Sequence, residues 1–404
     1  MCEIIFKEHV TRVVNNVVIA CNLKDWSYLE GKLDNIAQNY FGVIIPVVIE
    51  GKKKDNDGII RLKLVLKLAP TDERYRISGA ITTMFEREVF VYSEVFRIFE
   101  GYQQHLKADS QYTIPKCYYV CQEYCKEAIA MQNMCEIGYK PFVHSLFLDV
   151  DHTIVSLKCL AKFHALSFIL IYKEGDIYEN VKKICLPLSE KTNKRYIDIL
   201  VDRLEKAICK FENSNYVPLL SNLKQNCRTY IESAYLSSEK NCLCHGDIWK
   251  ENILFKYKDK LPVSACLIDF QTVRLCSPAF DVLYLITSST SSELRKECYS
   301  ALLDIYYKTL LEFLYMSKFD KVITYSNSQF YSDLKLVAPA CLIVANTALW
   351  LWNGLQEEGH VRSKQIWHTE SEKAKAVDQY KAVIKGIIDD FRNYGYLPVM
   401  SNGS

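Results

Sequence analysis

Several familiar signatures are missing from this 404-residue chain. It contains neither G-x-x-x-x-G-K-[ST] nor G-x-G-x-x-G, so the Walker-type and dinucleotide-binding phosphate loops do not apply. It lacks charge of one sign, with a net charge of only +2. That leaves no basic field for nucleic acid and no acidic tail, and no nucleic-acid partner is expected. The basic run Lys52-Lys53-Lys54 precedes Asp55, Asn56, Asp57 and Gly58, which reads as a solvated hairpin tip. The first residues show no basic segment followed by an apolar core, so no signal peptide is expected. The uncharged stretch Leu336 to Trp352 falls short of the roughly 20 apolar residues of a membrane span and carries Pro339 and Asn346. It reads as a buried helix, with no membrane partner. Internal repeats, low-complexity tracts and Pro/Gly-rich linkers are absent too.

Cysteine, by contrast, is plentiful. Sixteen of them without a secretory signal read as free thiols in a reducing compartment, which places the chain in the cytoplasm. Cys242-Leu243-Cys244-His245 lacks a second Cys/His pair at zinc-like spacing, and alternate residues of a buried strand explain it better.

The length fits two lobes. In the first third, Val43 to Glu50 and Ile59 to Ala69 are β-branched-rich runs separated by a Gly51…Gly58 turn, a hairpin. Leu62, Leu64, Leu66 and Leu68 alternate with Arg61, Lys63, Val65 and Lys67. Phe85, Val89, Tyr92, Phe96 and Phe99 recur at helical spacing, and short strands follow near 114–120 and 128–131. From about Ile137 onward the chain reads as mainly helical, with one β-like interruption between Cys242 and Ile268. The expectation is an α+β, bilobal fold. Residues 1–133 would form a small lobe of antiparallel sheet plus one helix. Residues 134–404 would form a large, mainly helical lobe carrying one inserted hairpin.

The interruption carries the chemistry. A short strand ends in His245-Gly246-Asp247, Asn252 follows five residues later, and a hairpin from Ile253 to Ile268 leads into Asp269-Phe270. In an antiparallel hairpin the start of one strand lies beside the end of the other, so Asn252 and Asp269 meet next to the loop of Asp247. Two carboxylates and an amide oxygen around one volume suit phosphoryl transfer. Two of these groups serve as hard ligands for Mg²⁺, and the third accepts the proton of the attacking hydroxyl. The template H-x-D-x-x-x-x-N…D-F is met by His245, Asp247, Asn252, Asp269 and Phe270. Lys67, on the strand face away from the leucines, and Glu88, at the edge of the helical stripe, then supply the expected phosphate-binding pair. Asn39, in the loop Gln38-Asn39-Tyr40-Phe41-Gly42, is the candidate for covering phosphates, though a plain loop serves the pattern nearly as well.

The run from Leu243 to Phe255 (LCHGDIWKENILF) and Leu267-Ile268-Asp269-Phe270-Gln271 closely resemble the ecdysteroid kinase-like family. These are choline-kinase-like and aminoglycoside-phosphotransferase-like enzymes abundant in insects. Ser277 to Tyr284, Leu160 to Ser167, Asn39-Tyr40, Glu88…Tyr92 and Tyr394 to Leu397 continue the resemblance. It implies a protein-kinase-like fold with residues 1–133 as the ATP-binding lobe and 134–404 as the catalytic and substrate-binding lobe. It implies that Asp247 is the catalytic base, that Asn252 and Asp269 hold Mg²⁺, that Lys67 paired with Glu88 contacts ATP, that the segment with Met131 and Asn133 holds adenine, and that Asp281 braces the catalytic loop. His164 and His245 read as scaffold and loop organiser. The chain departs from the family's pattern at Gln132-Asn133 and at Lys250-Glu251, neither of which removes a catalytic group. Only eleven residues separate Asp269 from Asp281 and no A-P-E follows, which leaves no long activation segment to dock a polypeptide. A small hydroxylated acceptor is therefore expected, and the resemblance implies an ecdysteroid or a xenobiotic, with no obligate protein partner. Trp350, Trp352, Trp367 and Tyr284 are candidates to line its pocket, with core packing the plainer reading of each. A non-catalytic nucleotide- or ligand-binding relative is the alternative.

Overall fold

A computed structural model describes residues 3–31, 42–186, 195–236, 240–319, 325–355 and 367–397. Asn39 lies outside these residues, as does most of the loop that contains it.

The chain opens with α1 (Glu3–Ala20), followed by β1 (Leu23–Glu30), β2 (Val43–Lys53) and β3 (Ile59–Leu68). Helices α2 (Glu73–Ser78), α3 (Ile81–Phe90) and α4 (Phe96–Gln103) come next, then β4 (Cys117–Cys121) and β5 (Ala128–Gln132). The five strands form one antiparallel sheet in the order β1-β2-β3-β5-β4. The alternation in β3 sorts its residues as expected. Leu64, Leu66 and Leu68 join Ile45, Val47, Ile49, Ala128 and Ala130 in an apolar core on one face. Lys67 and Val65 point to the other.

What covers the leucine face is α1, a helix the sequence reading did not include; it expected one helix here, not this second one. Its stripe of Val10, Val13, Val14, Val17 and Val18 falls at helical spacing and is buried against the sheet. The expected helix is present as α3 and α4 joined by a π turn, Val91–Val95. By packing, its apolar face (Val89, Tyr92, Phe96, Phe99) belongs to the large core of the helical region, not to the small core under α1.

The helical region contains β6 (Tyr139–Pro141), α5 (Val150–Lys173), α6 (Gly175–Ile184), α7 (Tyr196–Lys210), α8 (Val217–Gln225) and α9 (Cys227–Leu236). After these come β7 (Cys242–Cys244), β8 (Ile253–Lys258), β9 (Leu261–Leu267) and β10 (Arg274–Cys276). Four helices complete it: α10 (Pro278–Ser289), α11 (Ser292–Met316), α12 (Asn327–Trp352) and α13 (Glu370–Asn393). The expected hairpin is β8–β9, widened by β6 into a three-stranded sheet, while β7 pairs with β10, a strand the sequence reading did not anticipate. Helices α5 and α12 are long and apolar enough to cross a membrane, but 72% and 67% of their most apolar windows are buried inside the protein. The fold is therefore α+β, a sheet region followed by a helical one, as expected.

Candidate active site

The segment 245–252 hangs between two paired strands. Cys244 pairs with Arg274 and Ile253 with Leu267, so β7 leads into the loop 245–252 and β9 returns beside its far end. The Ile268 N–H donates to the Asn252 carbonyl at 3.0 Å, which fixes Asn252 beside the residue preceding Asp269. Asp269 itself adopts a left-handed conformation (φ 67°), turning the chain sharply where its carboxylate leaves the strand.

Asp281 organises the loop from α10. Fully buried, it accepts the His245 N–H at 2.6 Å and the Gly246 N–H at 3.0 Å. A carboxylate only accepts, so His164 Nε2, 3.2 Å away, donates to it, while His164 Nδ1 meets the Tyr306 hydroxyl at 2.8 Å. Burial works to raise the Asp281 pKa, but the hydrogen bond from His164 and the charges around it hold it below the ordinary carboxylate value. Gly246 sits at φ +84°, and a Cβ there would lie 2.3 Å from the Thr272 carbonyl oxygen. Only glycine passes that point. Arg274, buried between the rings of Tyr235 and Phe280, straps the loop by donating to the Gly246 carbonyl at 2.9 Å. Sequence reasoning missed this residue, although an arginine in the otherwise apolar run 273–276 needs buried partners. His245 packs its ring against Phe270 and contacts the Ile268 carbonyl at 2.9 Å, a loop organiser as expected.

Asp247 is partly buried, and burial pushes its carboxyl above the ordinary value. Asn252 Nδ2 donates to its backbone carbonyl at 2.8 Å and to its Oδ2 at 3.3 Å. The amide nitrogen is thereby turned toward Asp247, which leaves the amide oxygen as an available hard ligand.

Lys67 Nζ lies 2.6 Å from Glu88 Oε2 and 2.8 Å from Asp269 Oδ1. The lysine and glutamate side chains are 2% and 1% exposed, the aspartate 24%. Burial opposes the ammonium, but the two carboxylates outweigh it and raise the Lys67 pKa; burial also raises that of Glu88. The structure thus joins Lys67, Glu88 and Asp269 in one network and Asp247 with Asn252 in another. Met131 stands beside Val65 in the β3–β5 register, two residues along from Lys67. The Asn133 N–H donates to the Lys63 carbonyl, and its side chain caps the following turn by accepting from the Cys135 N–H at 3.1 Å.

Of the aromatic candidates, Tyr284 reaches the Asp247 carboxylate, its hydroxyl donating to Oδ1 at 3.1 Å. Trp350 is core, edge-on to Tyr380, and Trp367 donates to the Gly354 carbonyl. Trp352 lies 5.9 Å from the Lys250 ammonium. Among the described residues, His164, Cys242 and Cys244 bring potential metal ligands within 4.8 Å of one another. Both ring nitrogens of His164 are already engaged, so the strand-alternation reading of the cysteines holds.

The family model for the ecdysteroid kinase-like family matches residues 37–319, and the chain belongs to that family, a small-molecule kinase by class. No curated protein matches it in sequence. Among solved structures, it is similar to an ethanolamine kinase of Plasmodium vivax (12% identity, 91% of this chain and 83% of that one, TM-score 0.43). It is also similar to an aminoglycoside 2'-phosphotransferase in its GDP complex (12% identity, 96% and 98%, TM-score 0.42). A third is the choline kinase LicA of Streptococcus pneumoniae (11% identity, 94% and 99%, TM-score 0.38).

Proposed function

We propose that this member of the ecdysteroid kinase-like family transfers the γ-phosphate of ATP to a hydroxyl of a small molecule, with Asp247 as the base that accepts the hydroxyl proton. The observation that carries this reading is the ion-pair network in which one buried ammonium, Lys67, links Glu88 to Asp269. Two carboxylates from distant parts of the chain hold this buried lysine, and in the kinase template such a lysine meets phosphate oxygens.

In this reading Lys67, set by Glu88, contacts the ATP phosphates, with Met131 and Asn133 beside the adenine. The donor set fits Mg²⁺: an amide oxygen from Asn252, whose nitrogen is already spent on Asp247, and a carboxylate from Asp269. When bound, the ion would offset charge developing on the phosphates. Asp247 orients the acceptor hydroxyl and holds its proton at a carboxylate oxygen, in a loop that Asp281 and Arg274 keep from moving. The ATP-binding lobe is assigned to residues 1–133 and the catalytic lobe to 134–404. The acceptor is an ecdysteroid, phosphorylated at a 22-type hydroxyl, or a steroid, phenolic or glycoside xenobiotic. A cytoplasmic location accords with the described cysteines, all of them free thiols.

The test is Mg-ATP turnover against ecdysteroids, plant phenolics and glycosides, choline and aminoglycosides, with Asp247→Asn as control. Transfer to one class, lost by at least about a thousandfold in the control, is expected. Unchanged turnover in Asp247→Asn would refute the base assignment.

A further inference from the structure

The Asp247 carboxylate is gripped at both oxygens. Asn252 Nδ2 lies 3.3 Å from Oδ2, and the Tyr284 hydroxyl donates to Oδ1 at 3.1 Å. Tyr284 is completely buried, so it does not itself meet a substrate. Its place on α10 gives the contact meaning. Asp281 and Tyr284 are three residues apart and face the same side of that helix. Asp281 takes the backbone N–H groups of His245 and Gly246, and Tyr284 takes the side chain of the next residue. One helix therefore holds three consecutive positions of the loop.

We propose that Tyr284 is a positioning residue that sets the rotation of the Asp247 carboxylate. This rests on the reading of Asp247 as the base. The last torsion of an aspartate is soft, so its oxygens turn freely unless donors fix them. The Asn252 contact alone is long and leaves Oδ1 unheld. With the phenol in place, both oxygens are fixed in one plane and the remaining lone pairs point in set directions. The ring is secured separately, stacked on Phe280 at 6.0 Å with planes 20° apart, so the hydroxyl arrives on a rigid arm. Burial and the neighbouring Asp247 charge raise the phenol pKa well above its usual value, so the group stays a donor at any working pH.

Tyr284→Phe removes the hydroxyl and keeps the ring. The expected result is a fall in kcat of about 10- to 100-fold, the worth of one hydrogen bond to a charged group. KM for Mg-ATP should stay within about twofold, because no nucleotide contact changes. A crystal structure of the variant should show the Asp247 carboxylate rotated away from Asn252. A variant with kcat within about twofold of the parent would overturn the proposal. So would a loss of kcat accompanied by equal losses of Mg-ATP affinity and thermal midpoint, the pattern of a merely structural role. If the parent enzyme phosphorylates nothing, the base reading fails, and the orientation of Asp247 in the variant crystal still decides the positioning claim: an unmoved carboxylate refutes it.

Discussion

Replacing Asp281 with asparagine changes one atom, and the structure says how much should follow. The carboxylate faces three donors: the His245 N–H, the Gly246 N–H and His164 Nε2. An amide offers one accepting oxygen and one donating nitrogen. His164 can adapt by exchanging its ring proton, since Tyr306 is able to donate or accept at the other nitrogen. The two backbone groups cannot adapt. Whichever way the amide turns, one backbone N–H points at an NH₂ group inside a site with no water-exposed surface. Losing one charge-assisted bond and orphaning that donor costs about 2–4 kcal/mol. At roughly 1.2 °C per kcal/mol for a chain of this size, the thermal midpoint of Asp281→Asn should fall by about 2–5 °C. Turnover should fall further than stability suggests, about a hundredfold, because the displaced loop carries Asp247 and small misplacements of a catalytic group are costly. The assay is a melting curve paired with Mg-ATP turnover measured well below the lowered midpoint. A variant that melts within 1 °C of the parent and turns over within about twofold would show that Asp281 does not hold the loop.

Lys67→Met should abolish detectable Mg-ATP turnover. It should also destabilise the fold by about 3–5 kcal/mol, because Glu88 is left buried without its cation; a parent-like melting curve would show that the ion pair is not the partner Glu88 depends on. Gln271→Met runs the other way. Both polar atoms of the Gln271 amide are buried without a hydrogen-bond partner, so an apolar side chain of similar length should match or raise the thermal midpoint. A drop of several degrees would reveal a bound water or ion on that amide.

The parts of this site that are close in sequence or fixed by strand geometry were legible beforehand. Asn252 and Asp269 are seventeen residues apart but lie at the two ends of one hairpin, and the alternation in β3 alone put Lys67 opposite the leucines. Two kinds of feature were not. Helix α1 is written in valines, which read as strand by propensity, yet Val10, Val13, Val14, Val17 and Val18 keep the 3.6-residue period that identifies it. Periodicity was the sounder guide there, and the leucine face of β3 was a second clue, since a buried-type face with nothing to cover it implies an unplaced element. The other kind has no pattern to read. Tyr284 meets Asp247 across thirty-seven residues, and Arg274 reaches Gly246 across twenty-eight, through contacts that depend on how α10 and β10 pack. Buried polar residues in apolar runs do announce that a partner exists, because an unpaired one is costly. They do not say which partner. For Arg274 and Tyr284 the answer is the same loop, so the largely apolar segment 273–289 works less as filler than as the frame that holds Gly246 and Asp247 in place.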